Sequence, residues 1–109
     1  MSRISEEVSA EEIQSLAREL QIIRNQIQTI SSQSSEYGIT VEALSKQDAR
    51  RPVYRSLGNI LLEVDDRESL ESELKEAQEA LNEHLSRLVE REESIRKKYE
   101  EMATSFEGK

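Results

Sequence analysis

Ile13, Leu16, Leu20, Ile23, Ile27, Ile30, Ser34, Tyr37, Val41 and Leu44 follow one another at intervals of three and four residues in strict alternation. Nine of these ten positions are apolar. The mean spacing is 3.5, whereas a straight helix turns once in about 3.6 residues. An apolar face lying on a globular core drifts out of such a pattern; a helix wound about another helix keeps it. A second series, Leu74, Leu81, Leu88, Ile95 and Met102, recurs every seven residues. Its companion positions are Leu70, Ala77, His84, Arg91, Lys98 and Ser105, apolar early and polar late, with Leu85, Tyr99 and Phe106 beside the seam.

Folding the second series back on the first sets Leu44 against Leu70, Val41 against Leu74 and Tyr37 against Ala77. Further on it sets Ile27 against Leu88, Leu20 against Ile95 and Ile13 against Met102. The two registers match over their whole length without an insertion. The chain therefore reads as mainly α, a long antiparallel α-helical coiled-coil hairpin about 55 Å long at 1.5 Å per residue. Arg91 and Lys98 in companion positions predict a seam that is tight at the bend and loose at the free ends. The Ser-rich stretch SSQSSEYG around Ser34 and Gly38 predicts a local bend or looser packing.

Local signals bound the helices. Ser9 and Glu12 have the spacing of a capping box, with Val8 and Ile13 placed as a hydrophobic staple, which starts the first helix at about residue 9. It ends at about residue 47, before Arg51-Pro52. Asp65 or Asp66 caps a second helix spanning about 66–106. Glu71–Lys75, Glu83–Arg87 and Glu93–Lys97 are favourable pairs on its outer face. All of this fits in one domain, residues 1–109.

Between the helices lies PVYRSLGNILLEVD, Pro52–Asp65, β-branched and aromatic where a short polar turn would suffice. Val53–Leu57 and Ile60–Val64 can pair across Gly58-Asn59 as a β-hairpin over about 53–64. Pairing puts Val53, Leu57, Ile60, Leu62 and Val64 on one face with Arg55, and Tyr54, Ser56, Leu61 and Glu63 on the other. An isolated hairpin is marginal in water. Two open edges and an apolar face invite pairing with other chains, so Val53, Tyr54, Leu57, Ile60, Leu61, Leu62 and Val64 are the candidate oligomerisation residues.

Charge and composition narrow the function. A net charge of −8 argues against nucleic acid or an anionic membrane as partner. No apolar run approaches the roughly 20 residues of a membrane span. The start MSRISEEVSA has no apolar signal region, and cysteine is absent, both of which fit the cytoplasm. Catalysis finds no support. His84 is the only histidine and reads as a seam residue beside Glu83; no thiol, ligand set or phosphate loop accompanies it. The expectation is a protein that is not an enzyme and uses no cofactor or metal.

The order of seam helix, then xVYxxxGNxLL at Val53–Leu62, then an acidic cap and a Glu/Lys-rich seam helix resembles a prefoldin subunit of the beta class, archaeal type. The resemblance is sharpest from Ala43 to about Glu101 and covers nearly the whole chain. It implies an ATP-independent holdase chaperone. Two alpha-type and four beta-type subunits would join their hairpins into a β-barrel body as a hetero-hexamer. The coiled coils would grip unfolded protein clients at their tips and pass them to a group II chaperonin. The implied partners are thus an alpha-type subunit, further copies of this chain, clients and the chaperonin. The client-binding residues would be Ile4, Val8, Ile13, Leu16, Leu20, Ile95, Tyr99, Met102 and Phe106, at the ends that an antiparallel hairpin brings together. A structural coiled-coil adaptor that uses the hairpin only to oligomerise is the alternative. Adaptable apolar groups at the ends (Ile4, Val8, Met102 and Phe106) favour the holdase.

Overall fold

The computed structural model describes the backbone of residues 2–107 and the side chains of residues 10–106. Helix α1 spans Ser2–Lys46, strands β1 and β2 span Tyr54–Leu57 and Ile60–Glu63, and helix α2 spans Arg67–Glu107. α1 begins well before Ser9, so Ser9 is an interior helical position and not a cap. Nothing around Val8-Ser9 breaks a helix, and Glu6 and Glu7 favour one, so the Ser-x-x-Glu spacing carries no stop here. Asp66 is the cap of α2: its Oδ1 accepts the Ser69 N–H at 3.0 Å.

The chain divides into two compact units, residues 31–83 around the bend and residues 1–30 with 84–109 at the chain ends. In the end unit, Leu20, Ile23 and Ile95 form a buried cluster, with Leu16, Ile27 and Tyr99 packed against it. Arg24 bridges to Glu92 on the facing helix at 3.3 Å. Leu20 and Ile95 thus meet as the seam register requires.

In the bend unit the pairing runs through a polar layer. Ser34 is buried, and its hydroxyl donates to the Asn82 Oδ1. Gln78 Nε2 donates to the Ser34 carbonyl at 3.3 Å. A Cβ on Gly38 would stand 2.8 Å from that Gln78 Nε2, so the glycine leaves room for the amide. Here the helix is unbroken and the layer is hydrogen-bonded, with an open groove beside it lined by Tyr37, Leu74 and Leu81. Of the surface pairs, Glu71–Lys75 and Glu93–Lys97 form at 3.2 Å each. Glu83–Arg87 is not among the ion pairs of the described residues.

Every one of the ten seam positions of α1 is buried or half-buried, and its other described residues are exposed except Ala10 and Gly38. The seam of α2 differs from expectation. Leu70, Leu74, Ala77 and Leu81 point inward, but the companion places beyond them belong to Leu85, Glu92 and Tyr99. His84, Arg91, Lys98 and Ser105 are exposed. The intervals Ala77–Leu81–Leu85 are four and four, a shift of one residue that follows the 3.6-residue turn of a straight helix. Burial is not concentrated at the bend as expected. Among the described residues, Leu20, Ile23, Leu88 and Ile95 of the end unit are buried, against Leu44 alone of the apolar residues in the bend unit.

Arg67 closes the bend. Its guanidinium donates to the carbonyls of Asp48 at 3.1 Å, Gln47 at 3.2 Å and Leu44 at 3.4 Å, all at the end of α1. A cation there satisfies carbonyls that have no helical partner and opposes the negative end of the helix dipole. Arg67→Ala is expected to destabilise the chain by about 2 kcal/mol, in line with charged hydrogen bonds. Urea unfolding checks the magnitude. Faster amide exchange confined to the bend unit checks the place, and unchanged exchange there would contradict the latch.

Candidate functional site

The hairpin is built by its turn. Gly58 has φ of +60°, and no other residue type has positive φ among the described residues, so Asn59 does not. A positive φ at the first central residue alone is the pattern of a type II′ turn, whose twist matches paired strands and which favours glycine at that place. Tyr54 pairs with Glu63, Arg55 with Leu62, Ser56 with Leu61 and Leu57 with Ile60. The register confirms the two faces: Arg55, Leu57, Ile60 and Leu62 on one, and Tyr54, Ser56, Leu61 and Glu63 on the other.

Neither face is covered. Leu61 is 69% exposed, Ile60 61%, Leu57 58%, Tyr54 55% and Leu62 47%. Only Val53 and Val64, at the base, are half-buried; the Val64 N–H donates to the Val53 carbonyl at 2.8 Å. Bonded and non-bonded pairs alternate in an antiparallel ladder. Counting up from Val53–Val64, the backbone groups of Tyr54 and Ser56 point out from the β1 edge, and those of Leu61 and Glu63 from the β2 edge. Five large exposed apolar side chains and two open edges thus sit on ten residues.

The hairpin is held at a set angle by a residue that sequence reading placed on a face but left without a partner. Arg55 forms a two-pronged pair with Glu73 of α2, Nη1 to Oε2 at 3.2 Å and Nη2 to Oε1 at 3.3 Å. The Arg55 side chain is about half exposed, and its value is orientation more than stability. The only signal for it was a charge on an otherwise apolar face.

The candidate client residues divide. Leu16, Leu20, Ile95 and Tyr99 belong to one packed cluster, and Ile13 and Met102 are half-buried. Phe106 is 41% exposed. Leu16 and Met102 line a shallow groove with Glu12, Ser15, Lys98 and Glu101. The side chains of Ile4 and Val8 lie outside the described residues. Among the described residues, no His, Cys, Asp or Glu cluster could hold a metal ion, and no helix is long and apolar enough to cross a membrane. His84 faces an open groove with Asn25, Gln26, Thr29, Ile30, Leu88 and Arg91, so it is not the seam residue expected.

Comparison with known proteins decides the family. The model of the prefoldin subunit family matches residues 7–109. The chain belongs to the prefoldin family. It is 33% identical to the prefoldin subunit beta of Thermoplasma volcanium, over 86% of this chain and 82% of that one. It is 29% identical to the prefoldin subunit beta of Archaeoglobus fulgidus, over 83% of each. The crystal structure of the prefoldin beta subunit from Thermococcus strain KS-1 has the same fold, with a TM-score of 0.85 at 19% identity, covering 95% of this chain and 90% of that one. The beta2 subunit of the same strain superposes with a TM-score of 0.73 at 20% identity, over 84% and 97% of the two chains. Two long helices flanking a two-stranded hairpin are therefore the architecture of a prefoldin beta-type subunit.

Proposed function

We propose that this prefoldin-family chain is a subunit of an ATP-independent holdase, acting in the cytoplasm without catalysing a reaction. Its hairpin joins an alpha-type subunit and further copies of the chain into the hexameric body. The helix ends bind non-native polypeptide and deliver it to a group II chaperonin. The observation that carries this reading is the uncovered hairpin: an apolar, open-edged element that the chain itself does not bury is marginal alone and gains stability when its face and edges are covered in an assembly. Assembly then supplies several weakly binding helix ends at once, and their avidity makes weak contacts effective.

Client binding at the ends works in two layers. Phe106, with the groove flanked by Leu16 and Met102, offers apolar surface without rearrangement. Leu20 and Ile95 are seam residues and reach a client only when the paired helices part. Thioether and aromatic groups at the accessible layer suit varied sequences.

The test is light scattering of a denatured client diluted into the assembled complex without nucleotide. The full chain should suppress aggregation, and a chain lacking residues 1–8 and 102–109 should assemble normally yet lose most of that protection. Undiminished protection by the shortened chain would move the client site to the body and reject the helix ends.

A further inference from the structure

The cations of the two helices fall into two groups. Lys46, Lys75, Arg96 and Lys97 each bond to a glutamate four residues earlier, and Arg24 bonds to Glu92. Arg87, Arg91 and Lys98 take part in no ion pair among the described residues, and all three are exposed. Spacing explains the difference. Three and four residues to either side of Arg91 stand Arg87, Leu88, Ser94 and Ile95; about His84 stand Ala80, Leu81, Arg87 and Leu88. Neighbours at these intervals share a helix face, so His84, Arg87 and Arg91 form a row with no carboxylate in it. Lys98 continues the row one heptad on, but it shares its groove with Glu12 and Glu101, which leaves the positive potential centred on Arg87 and Arg91.

The row borders the open groove of the end unit. Leu88, buried, and Ile30, half-buried, supply its apolar lining, and Asn25, Gln26 and Thr29 of α1 line it opposite His84 and Arg91. No carboxylate lines it, in a chain with 23 acidic residues against 15 basic ones.

We infer that this groove is a docking site for an acidic segment of polypeptide that carries an apolar residue beside its carboxylates. The inference extends the holdase reading: it adds a client chemistry, and a place for it apart from the helix ends. Arg87 and Arg91 present planar guanidinium forks that match a carboxylate. Their like charges stand four residues apart, which costs the free helix stability and which a bound anion relieves. Ile30 and Leu88 take the apolar side chain, and the Gln26 amide can both donate to and accept from the peptide groups of an extended segment. A polypeptide fits better than a nucleic acid. The net charge of −8 repels a long run of phosphates, and no aromatic ring lines the groove to stack a base. One or two carboxylates feel chiefly the nearby arginines, because exposed charges farther off than about 8–10 Å are screened.

Fluorescence anisotropy of the full-length chain tests this with short labelled peptides: one alternating leucine and glutamate, one with glutamine in place of glutamate, and one with lysine. The acidic peptide should bind most tightly, and its affinity should fall as salt rises. Arg87→Gln with Arg91→Gln should weaken it roughly tenfold, the effect of losing two exposed charge pairs, and leave the glutamine peptide unaffected. Lys75→Gln with Lys97→Gln removes the same charge from elsewhere on α2 and should change nothing. Arg87→Glu with Arg91→Glu should move the preference to the lysine peptide. Circular dichroism checks helicity, and should the reversed pair unfold, the glutamine pair decides alone, since glutamine is a good helix former. Equal weakening by the two glutamine pairs would reduce the effect to net charge and overturn the site. Tighter binding of a single-stranded oligonucleotide of equal charge would overturn the polypeptide as occupant. Aggregation suppression that persists while acidic and glutamine peptides bind alike would overturn the groove and leave the holdase standing. Acidic-peptide binding through Arg87 and Arg91 without any suppression would uphold the groove and count against the holdase.

Discussion

Leu57→Lys combined with Leu62→Lys is expected to dissociate the assembly while leaving the helices intact. Both side chains lie on the hairpin face shared with Ile60 and the basal valines, and both are about half or more exposed in the single chain. Lysine at these half-exposed places costs the monomer less than at a buried seam position, and the Arg55–Glu73 pair does not depend on them. In the proposed assembly the same positions would be covered, and burying each leucine would contribute about 1.5–3 kcal/mol. Two ammonium groups in a covered site reverse that gain, because an unpaired charge is not desolvated cheaply. Size-exclusion light scattering should show the mass of one chain, with far-ultraviolet circular dichroism unchanged. An unaltered oligomer would show that assembly runs through the helices.

Leu20→Ala and Ile95→Ala should each destabilise the chain by about 2–4 kcal/mol, a large share of the stability of a protein this size. They are 5% and 8% exposed and pack in one cluster, so each truncation leaves a cavity that the facing helix only partly fills. Leu74→Ala and Leu81→Ala should cost less, about 1–2 kcal/mol, because these side chains are half-buried and line an open groove beside Tyr37 and Thr40. The spacing of apolar residues leads to the opposite order, with the bend as the tight part. Urea unfolding of the four variants separates the two, and a double-mutant cycle on Leu20 and Ile95 should show coupling, since they touch. Larger losses at Leu74 and Leu81 would restore the tight bend.

Under the proposed holdase reading, the packing of the end unit bears on how a client would be met. Gripping with Leu20 or Ile95 requires the helices to separate at a free-energy cost that the client must offset, whereas Phe106 and Met102 require none.

Periodicity and turn chemistry, read from the sequence alone, determined the pairing of two long helices, the inward face of α1 and the hairpin register. Each is a local rule: a 3.5-residue repeat selects a partner helix, and Gly58-Asn59 selects a two-residue turn. The choice of Asp66 over Asp65 as the cap of α2 was made only in the folded chain. The companion seats of α2 were decided only in the folded chain. His84, Arg91 and Lys98 stand next to Leu85, Glu92 and Tyr99 in sequence, and which set turns inward depends on how far the 3.6-residue turn drifts against the seven-residue repeat. The start of α1 was likewise open, because Ser9-x-x-Glu12 is as compatible with a helix interior as with a cap. Nothing local marks Arg67, whose acceptors are backbone carbonyls and carry no side-chain signature. The partner of Arg55 lies eighteen residues on in a different element, and Gln78 finds Ser34 only because Gly38 leaves it room. These contacts join groups far apart in the chain, and their geometry exists only once α1, the hairpin and α2 are brought together.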